Sequence, residues 1–401
     1  MTKSLSRVCV VAAVSMWTVS ASAQDPADTP ALTRPGVLTR AVEWAGARLD
    51  GPSAPHDGFY PEMGGMIPGA GLSAGPGYRR RLFGDRVIVD ASAAISSRRY
   101  TMLQSQLTGP LLLNRRLTMG ARVKYQDFTQ ISHFGIGRDT LETSRTNYRL
   151  RDLDTLGFAT ISARPWLTVA GRAGLLQRVD ISAGRSALHP STTERFGESS
   201  APGLFQQPNY LHADIAGDVD TRDVPGYPAR GGRYRLALAM FHDHTLAAFS
   251  FKRVEADGAQ YIPIARTVLA LRGRIDLSST GDGQDIPFYL LPTLGGSSSL
   301  RGYADFRFRD RHALLVDAEY RWPLLHAVDA AVFYDAGTVA PQVSGLTHRL
   351  VSNYGIGVRA HSATHLIARF DVARGKEGTR ALLTFTAPLA RSSRIVAPYV
   401  P

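Results

Sequence analysis

Leu269-Ala270-Leu271-Arg272-Gly273-Arg274-Ile275-Asp276-Leu277 decides the fold of this chain. Leu269, Leu271, Gly273, Ile275 and Leu277 fall on one face, and Ala270, Arg272, Arg274 and Asp276 on the other. A period of two places these residues on a β-strand with one apolar and one water-seeking side. The split recurs upstream, where Leu211, Ala213, Ile215, Gly217 and Val219 oppose His212, Asp214, Ala216, Asp218 and Asp220. Downstream, Leu314, Val316, Ala318, Tyr320 and Trp322 oppose Leu315, Asp317, Glu319 and Arg321. Leu366, Ala368, Phe370 and Val372 likewise oppose Ile367, Arg369 and Asp371.

Alternation alone fits a secreted β-sandwich as well as a membrane barrel. Strand number and length separate the two. About sixteen runs of ~10 residues lie between Gly71 and Leu389, the length a tilted strand needs to cross the hydrocarbon. A closed barrel is one of two ways to satisfy every backbone group in lipid. The other, a membrane helix, needs ~20 consecutive apolar residues, which no segment supplies. The mean hydropathy of −0.11 is compatible with spanning strands, because alternation hides an apolar face from an average. Tyr303, Tyr320, Trp322, Phe333 and Tyr334 are expected at strand ends, as interfacial girdles.

The first residues point to export. Lys3 and Arg7 precede an apolar run from Val8 to Val19 and the small-residue site Ala21-Ser22-Ala23, so residues 1–23 read as a cleaved signal peptide. Cleavage removes the one cysteine, Cys9, and with it disulfides and thiol catalysis. Without Lys3 and Arg7, 44 basic residues face 34 acidic ones, a net charge of +10. These charges are scattered over alternating strands rather than gathered in a tract, which suits a charged lumen and loops and argues against a nucleic-acid partner. Residues 24–68, rich in Pro, Gly and Ala, read as a linker or plug segment, residues 69–389 as the barrel and 390–401 as a tail.

Three connections look long: Ile181 to Gln206, Gly281 to Asp310 and Thr338 to Leu350. All fall at one end of the barrel, the extracellular one under the rule of long outer loops and short inner turns. The connection holding His133-Phe134-Gly135-Ile136-Gly137 is expected at the opposite, periplasmic end.

The second long connection contains Leu294-Gly295-Gly296-Ser297-Ser298-Ser299-Leu300-Arg301-Gly302-Tyr303. It resembles a phosphate loop only superficially, since no Lys follows and no helix opens after it. The serines lack a Gly-x-Ser-x-Gly elbow, and the histidines are not spaced as zinc ligands. No catalytic residue, metal or cofactor is assigned, and a dispersed-site outer-membrane enzyme is the least favoured function class. Asp218, Asp220 and Asp223 lack the ligand-rich spacing of a calcium loop and read as turn and lumen residues. A guanidinium inside a barrel needs carboxylates in good geometry. Glu319 shares the water-facing parity of Asp317 and Arg321, and Asp335 that of Asp329, so both point into the lumen on this reading. The competing reading leaves Arg301 as an exposed charge on a solvated loop.

Leu300-Arg301-Gly302-Tyr303 resembles the loop motif of the BamA/TamA-like outer-membrane assembly barrels, also called the bacterial surface antigen family. Asp220-Thr221-Arg222-Asp223 with Pro228 and Gly231-Gly232 resembles that family's turn into the next strand. Further matches are Glu319-Tyr320-Arg321-Trp322-Pro323-Leu324, Val332-Phe333-Tyr334-Asp335-Ala336-Gly337, Tyr354-Gly355-Ile356-Gly357-Val358-Arg359 and Arg369-Phe370-Asp371. The resemblance implies an all-β transmembrane antiparallel barrel of about sixteen strands in the outer membrane of a Gram-negative bacterium. It further implies that the loop folds inward, that Arg301 pairs with acidic residues at the positions of Glu319 and Asp335, and that Gly295, Gly296 and Gly302 let its backbone turn tightly. The implied function is insertion or translocation of other proteins, with lipids, unfolded clients and a periplasmic accessory protein as partners. Two departures stand out: residues 24–68 leave no room for a POTRA repeat, and the last strand, Arg380 to Leu389, is followed by a tail that could occlude the seam between first and last strands. The alternative function is a channel or passive structural barrel.

Overall fold

A computed structural model describes residues 57–64, 66–84, 86–109 and 116–385. The signal-peptide reading, most of the 24–68 segment and the tail lie outside the described residues. Among the described residues no helix is long and apolar enough to cross a membrane. Sixteen strands form one antiparallel sheet in which each pairs with the next. They are β1 (Gly58–Gly64), β2 (Ser73–Leu82), β3 (Val87–Ser96), β4 (Thr101–Thr108), β5 (Leu117–His133), β6 (Thr146–Arg164), β7 (Leu167–Ala183) and β8 (Tyr210–Asp220). After β9 (Gly231–Asp243), β10 (Phe251–Ile264) and β11 (Thr267–Thr280), the chain makes two short strands, β12 (Thr293–Leu294) and β13 (Phe308–Arg309), which pair only with each other. The sheet resumes with β14 (His312–Leu325), β15 (Val328–Ala340), β16 (Val351–His361), β17 (Leu366–Gly375) and β18 (Gly378–Phe385). Among the described residues no ladder joins β1 to β18.

The alternation gives this sheet an inverted surface. Ile356 is 63% exposed and Ile215 54%, whereas Asp335 and Asp371 are fully buried. An apolar band outside and ionised groups inside are what a lipid-embedded wall requires. At the end carrying the long connections the lumen is filled by aromatic packing. Phe241 stacks on Phe251 at 4.4 Å and Tyr148 meets Phe288 edge-on at 4.8 Å, within a cluster that includes Tyr210 and Leu290.

Several expectations need correction. The sheet begins at Gly58, inside the stretch read as linker. β1 carries Pro61 between two glycines, so its alternation is hidden, and a proline is tolerated there because β1 is an edge strand. Strand length is not uniform: β5, β6 and β7 span 17, 19 and 17 residues, against 10 in β17 and 8 in β18. Among the described residues the wall is therefore taller along β5 to β7 than along β17. Cutting the chain into ~10-residue crossings also misplaced the His133–Gly137 connection, which leaves β5 at the same end as the three long loops. Phe333 and Tyr303 are buried inside the barrel, so neither belongs to a lipid-facing girdle. The described part of the last strand runs Gly378–Phe385.

Candidate functional site

The connection between β11 and β14 enters the barrel. Its two arms pair as β12 and β13, with Thr293 opposite Arg309 and Leu294 opposite Phe308, so residues 295–307 form a tip that hangs in the lumen. Gly295 and Gly296 have φ of +122° and +85°, conformations that L side chains rarely adopt. A Cβ on Gly295 would lie 2.1 Å from the Ala304 carbonyl oxygen. Gly302 serves a different need: a Cβ there would come within 2.6 Å of the Asn353 Cβ and 2.9 Å of the Gly375 nitrogen. The tip is thus pressed directly against β16 and the end of β17. Leu300 and Tyr303 pack with Leu294, Phe308 and Leu315, and the Tyr303 hydroxyl donates to the Ser352 carbonyl at 3.1 Å.

This placement delivers Arg301 to the wall. Its Nε donates to Asp335 Oδ2 at 2.9 Å and its Nη2 to Asp335 Oδ1 at 2.6 Å, a fork on one carboxylate. Its Nη1 donates to Glu319 Oε2 at 2.8 Å. The backbone N–H of Arg301 reaches Asp335 at 3.2 Å, and Asn353 donates to the same oxygen at 2.8 Å. The guanidinium carbon lies 3.4 Å from the Phe333 ring centroid, adding a cation–π contact. Burial works to lower the Arg301 pKa, but the Asp335 and Glu319 carboxylates outweigh it and raise that pKa above the ordinary arginine value.

Glu319 is shared. Arg359 on β16 donates to both its oxygens, at 3.2 and 2.7 Å, and to Asp371 on β17 at 2.6 Å. One network therefore ties the loop tip to β14, β15, β16 and β17. Sequence reading singled out Arg301, Glu319 and Asp335, and the structure brings these three together. It missed Arg359, Asp371 and Asn353, although Arg359 and Asp371 lie within segments quoted for the family resemblance and Asp371 was placed on a water-facing side. It also missed Arg307, whose guanidinium joins Glu377 on the β17–β18 turn at 2.8 Å to Thr140 of the β5–β6 connection at 2.7 Å.

At the opposite end the β8–β9 turn crosses the barrel mouth. Asp223 Oδ1 accepts the N–H groups of Ala229 and Arg230, and Asp220 is held by Arg222 at 2.7 Å, so these carboxylates shape the turn. Its Tyr227 hydroxyl donates to Asp329 on β15 at 2.6 Å, while its ring stacks on His361 at 4.3 Å and carries the Arg321 guanidinium at 4.4 Å. Leu366 N–H, at the start of β17, donates to the Gly226 carbonyl at 3.2 Å. Between this strap and the loop tip lies a cavity of about 350 Å³ lined by both.

Residues 82–381 match the Omp85 superfamily domain, in agreement with the resemblance read from the sequence motifs. Among solved structures the chain is similar to BamA from Haemophilus ducreyi lacking POTRA domains 1-3, with a TM-score of 0.59 at 15% identity, covering 82% of this chain and 71% of that one. It is similar also to CdiB from Escherichia coli, with a TM-score of 0.53 at 11% identity, covering 84% of this chain and 62% of that one. At these identities the likeness concerns the fold. No curated protein matches the chain in sequence.

Proposed function

The chain belongs to the Omp85 superfamily, and on that premise we propose that it inserts or translocates other proteins at the outer membrane through the seam between β1 and β18. The observation that carries this reading is the contrast around that seam. The loop tip pins β14 to β17, whereas no ladder joins β18 to β1 among the described residues. A strand edge left unpaired in lipid offers backbone groups that an incoming strand can satisfy by β-augmentation. The mechanism is physical: the clamp holds the C-terminal wall in register while the edges template a client. Lipids of the outer membrane surround the barrel, and clients reach it from the periplasm with the help of an accessory protein. No covalent chemistry is required. The aromatic packing at the long-loop end disfavours a passive channel.

A short depletion of the protein followed by quantitative comparison of the outer-membrane proteome tests this. The reading predicts selective loss of one or a few surface proteins. An unchanged proteome would contradict it and make conductance in planar bilayers the next measurement.

A further inference from the structure

The cavity between the strap and the loop tip is lined by six guanidinium groups: Arg222, Arg272, Arg301, Arg321, Arg359 and Arg369. Five of them have a carboxylate within 4 Å. Arg222 has Asp220, Arg272 has Asp257, Arg301 has Asp335, Arg359 has Asp371, and Arg369 lies 3.6 Å from Asp371. Arg321 differs: among the described residues no carboxylate lies within 4 Å of it, although the residue is only 6% exposed. One of its Nη groups donates to the Pro228 carbonyl of the strap, and its buried Nε has no hydrogen-bond partner. Tyr227 and Tyr261 lie against the guanidinium at 4.4 and 5.8 Å.

We propose that this cavity binds a small oxyanion, a phosphate or carboxylate group, with Arg321 as its anchor. Asp329, bound to the Tyr227 hydroxyl, acts on this guanidinium only from beyond ion-pair distance. A buried guanidinium with no carboxylate in contact is costly, and an anion relieves that cost where the site is open enough to admit one. The Nε is closed off, so an oxyanion would meet the guanidinium at its Nη end, whose two donors match either oxyanion bidentately, and the two tyrosine rings hold it in place. At about 350 Å³ the cavity has room for such a group with part of its hydration shell, given a liquid-water share of ~30 Å³ per molecule. Asp317, 3.6 Å from Arg272, and Glu319 also line the cavity, so a single oxyanion group fits the charge balance better than a polyanion. The loop clamp has no need of this group, because Arg301 and Arg359 already carry full sets of carboxylates.

The test uses the full chain in detergent at fixed pH and ionic strength, replacing chloride stepwise with sodium phosphate and, separately, with sodium acetate, and reading the thermal unfolding midpoint. The expected result is a saturable rise with at least one of them, lost in Arg321→Gln and kept in Arg230→Gln, an exposed arginine of the same turn. Saturation by phosphate alone assigns the phosphate class, and by acetate alone the carboxylate class. No saturable rise with either, or an undiminished rise in Arg321→Gln, overturns the proposal. Should Arg321→Gln not fold, Arg321→Lys keeps the charge and loses the fork. Binding weakened about tenfold or more supports the site, and unchanged binding overturns it.

Discussion

Arg301 and Asp335 meet through two hydrogen bonds from the guanidinium, at 2.9 and 2.6 Å, and a third from the Arg301 backbone at 3.2 Å. A residue in a long connection is thereby fixed, side chain and main chain together, to one carboxylate of the wall. Removing the cation leaves Asp335 buried with only neutral donors, the Asn353 amide and the N–H of residue 301.

Arg301→Ala is expected to cost ~3–5 kcal/mol, the usual loss when one partner of a buried pair is removed. Heat-modifiable gel mobility and surface abundance report it, and both should fall. Arg301→Lys should recover part of the loss, because an ammonium cannot span Asp335 and Glu319 with a planar fork.

Arg301 and Arg359 should be energetically coupled, since both donate to Glu319. A double-mutant cycle with Arg301→Gln and Arg359→Gln is expected to show ~0.5–3 kcal/mol of coupling, the range for contacts within one network. Strict additivity in denaturant unfolding would mean that the shared carboxylate does not link them.

Gly302→Ala should loosen the loop tip without changing any charge. The added Cβ meets backbone and Cβ atoms of β16 and β17, which cannot swing aside, so a loss of ~1–3 kcal/mol is expected, as for overpacking. Faster proteolysis within residues 295–307 is the direct readout, and Gly137→Ala is a poor control because its φ of +108° already strains an alanine.

Tyr227→Phe keeps the stack on His361 and the contact with Arg321 but removes the hydrogen bond to Asp329. A hydrogen bond to a charged group contributes ~1.5–3 kcal/mol, so the β8–β9 turn should become more accessible to protease while the loop tip stays protected. Equal protection of the turn in both proteins would show that the ring contacts alone hold the strap.

The wall was legible in the sequence because a period of two survives wherever one side meets lipid and the other meets charge, as in Leu269 to Leu277 and Leu314 to Trp322. It was not legible in β1, where Pro61 and flanking glycines break the pattern, nor in the length of β5 to β7, whose pairing is interrupted by register shifts at Phe128/Ile131 and Arg151/Leu153 that split each long strand into shorter alternating runs. Parity put Glu319 and Asp335 on the lumen side, and the same rule applied to Arg359 would have placed it there too. The contacts of Arg307 with Glu377, and of Tyr227 with Asp329, join segments 70 and 102 residues apart. Such pairs leave no periodic trace, because what brings them together is the reach of loops and turns across the lumen rather than any local preference.

Cys9 is the sole cysteine of the chain, so with Cys9→Ser a pair introduced on β1 and β18, drawn from a small panel, can form a disulfide without competition. The decisive measurement is the abundance of the surface proteins lost on depletion, in cells whose only copy carries the locked pair, with and without reductant. If proteins pass through the seam, the locked barrel reproduces the depletion and reductant restores those proteins. Normal abundance with the disulfide fully formed would contradict passage through the seam.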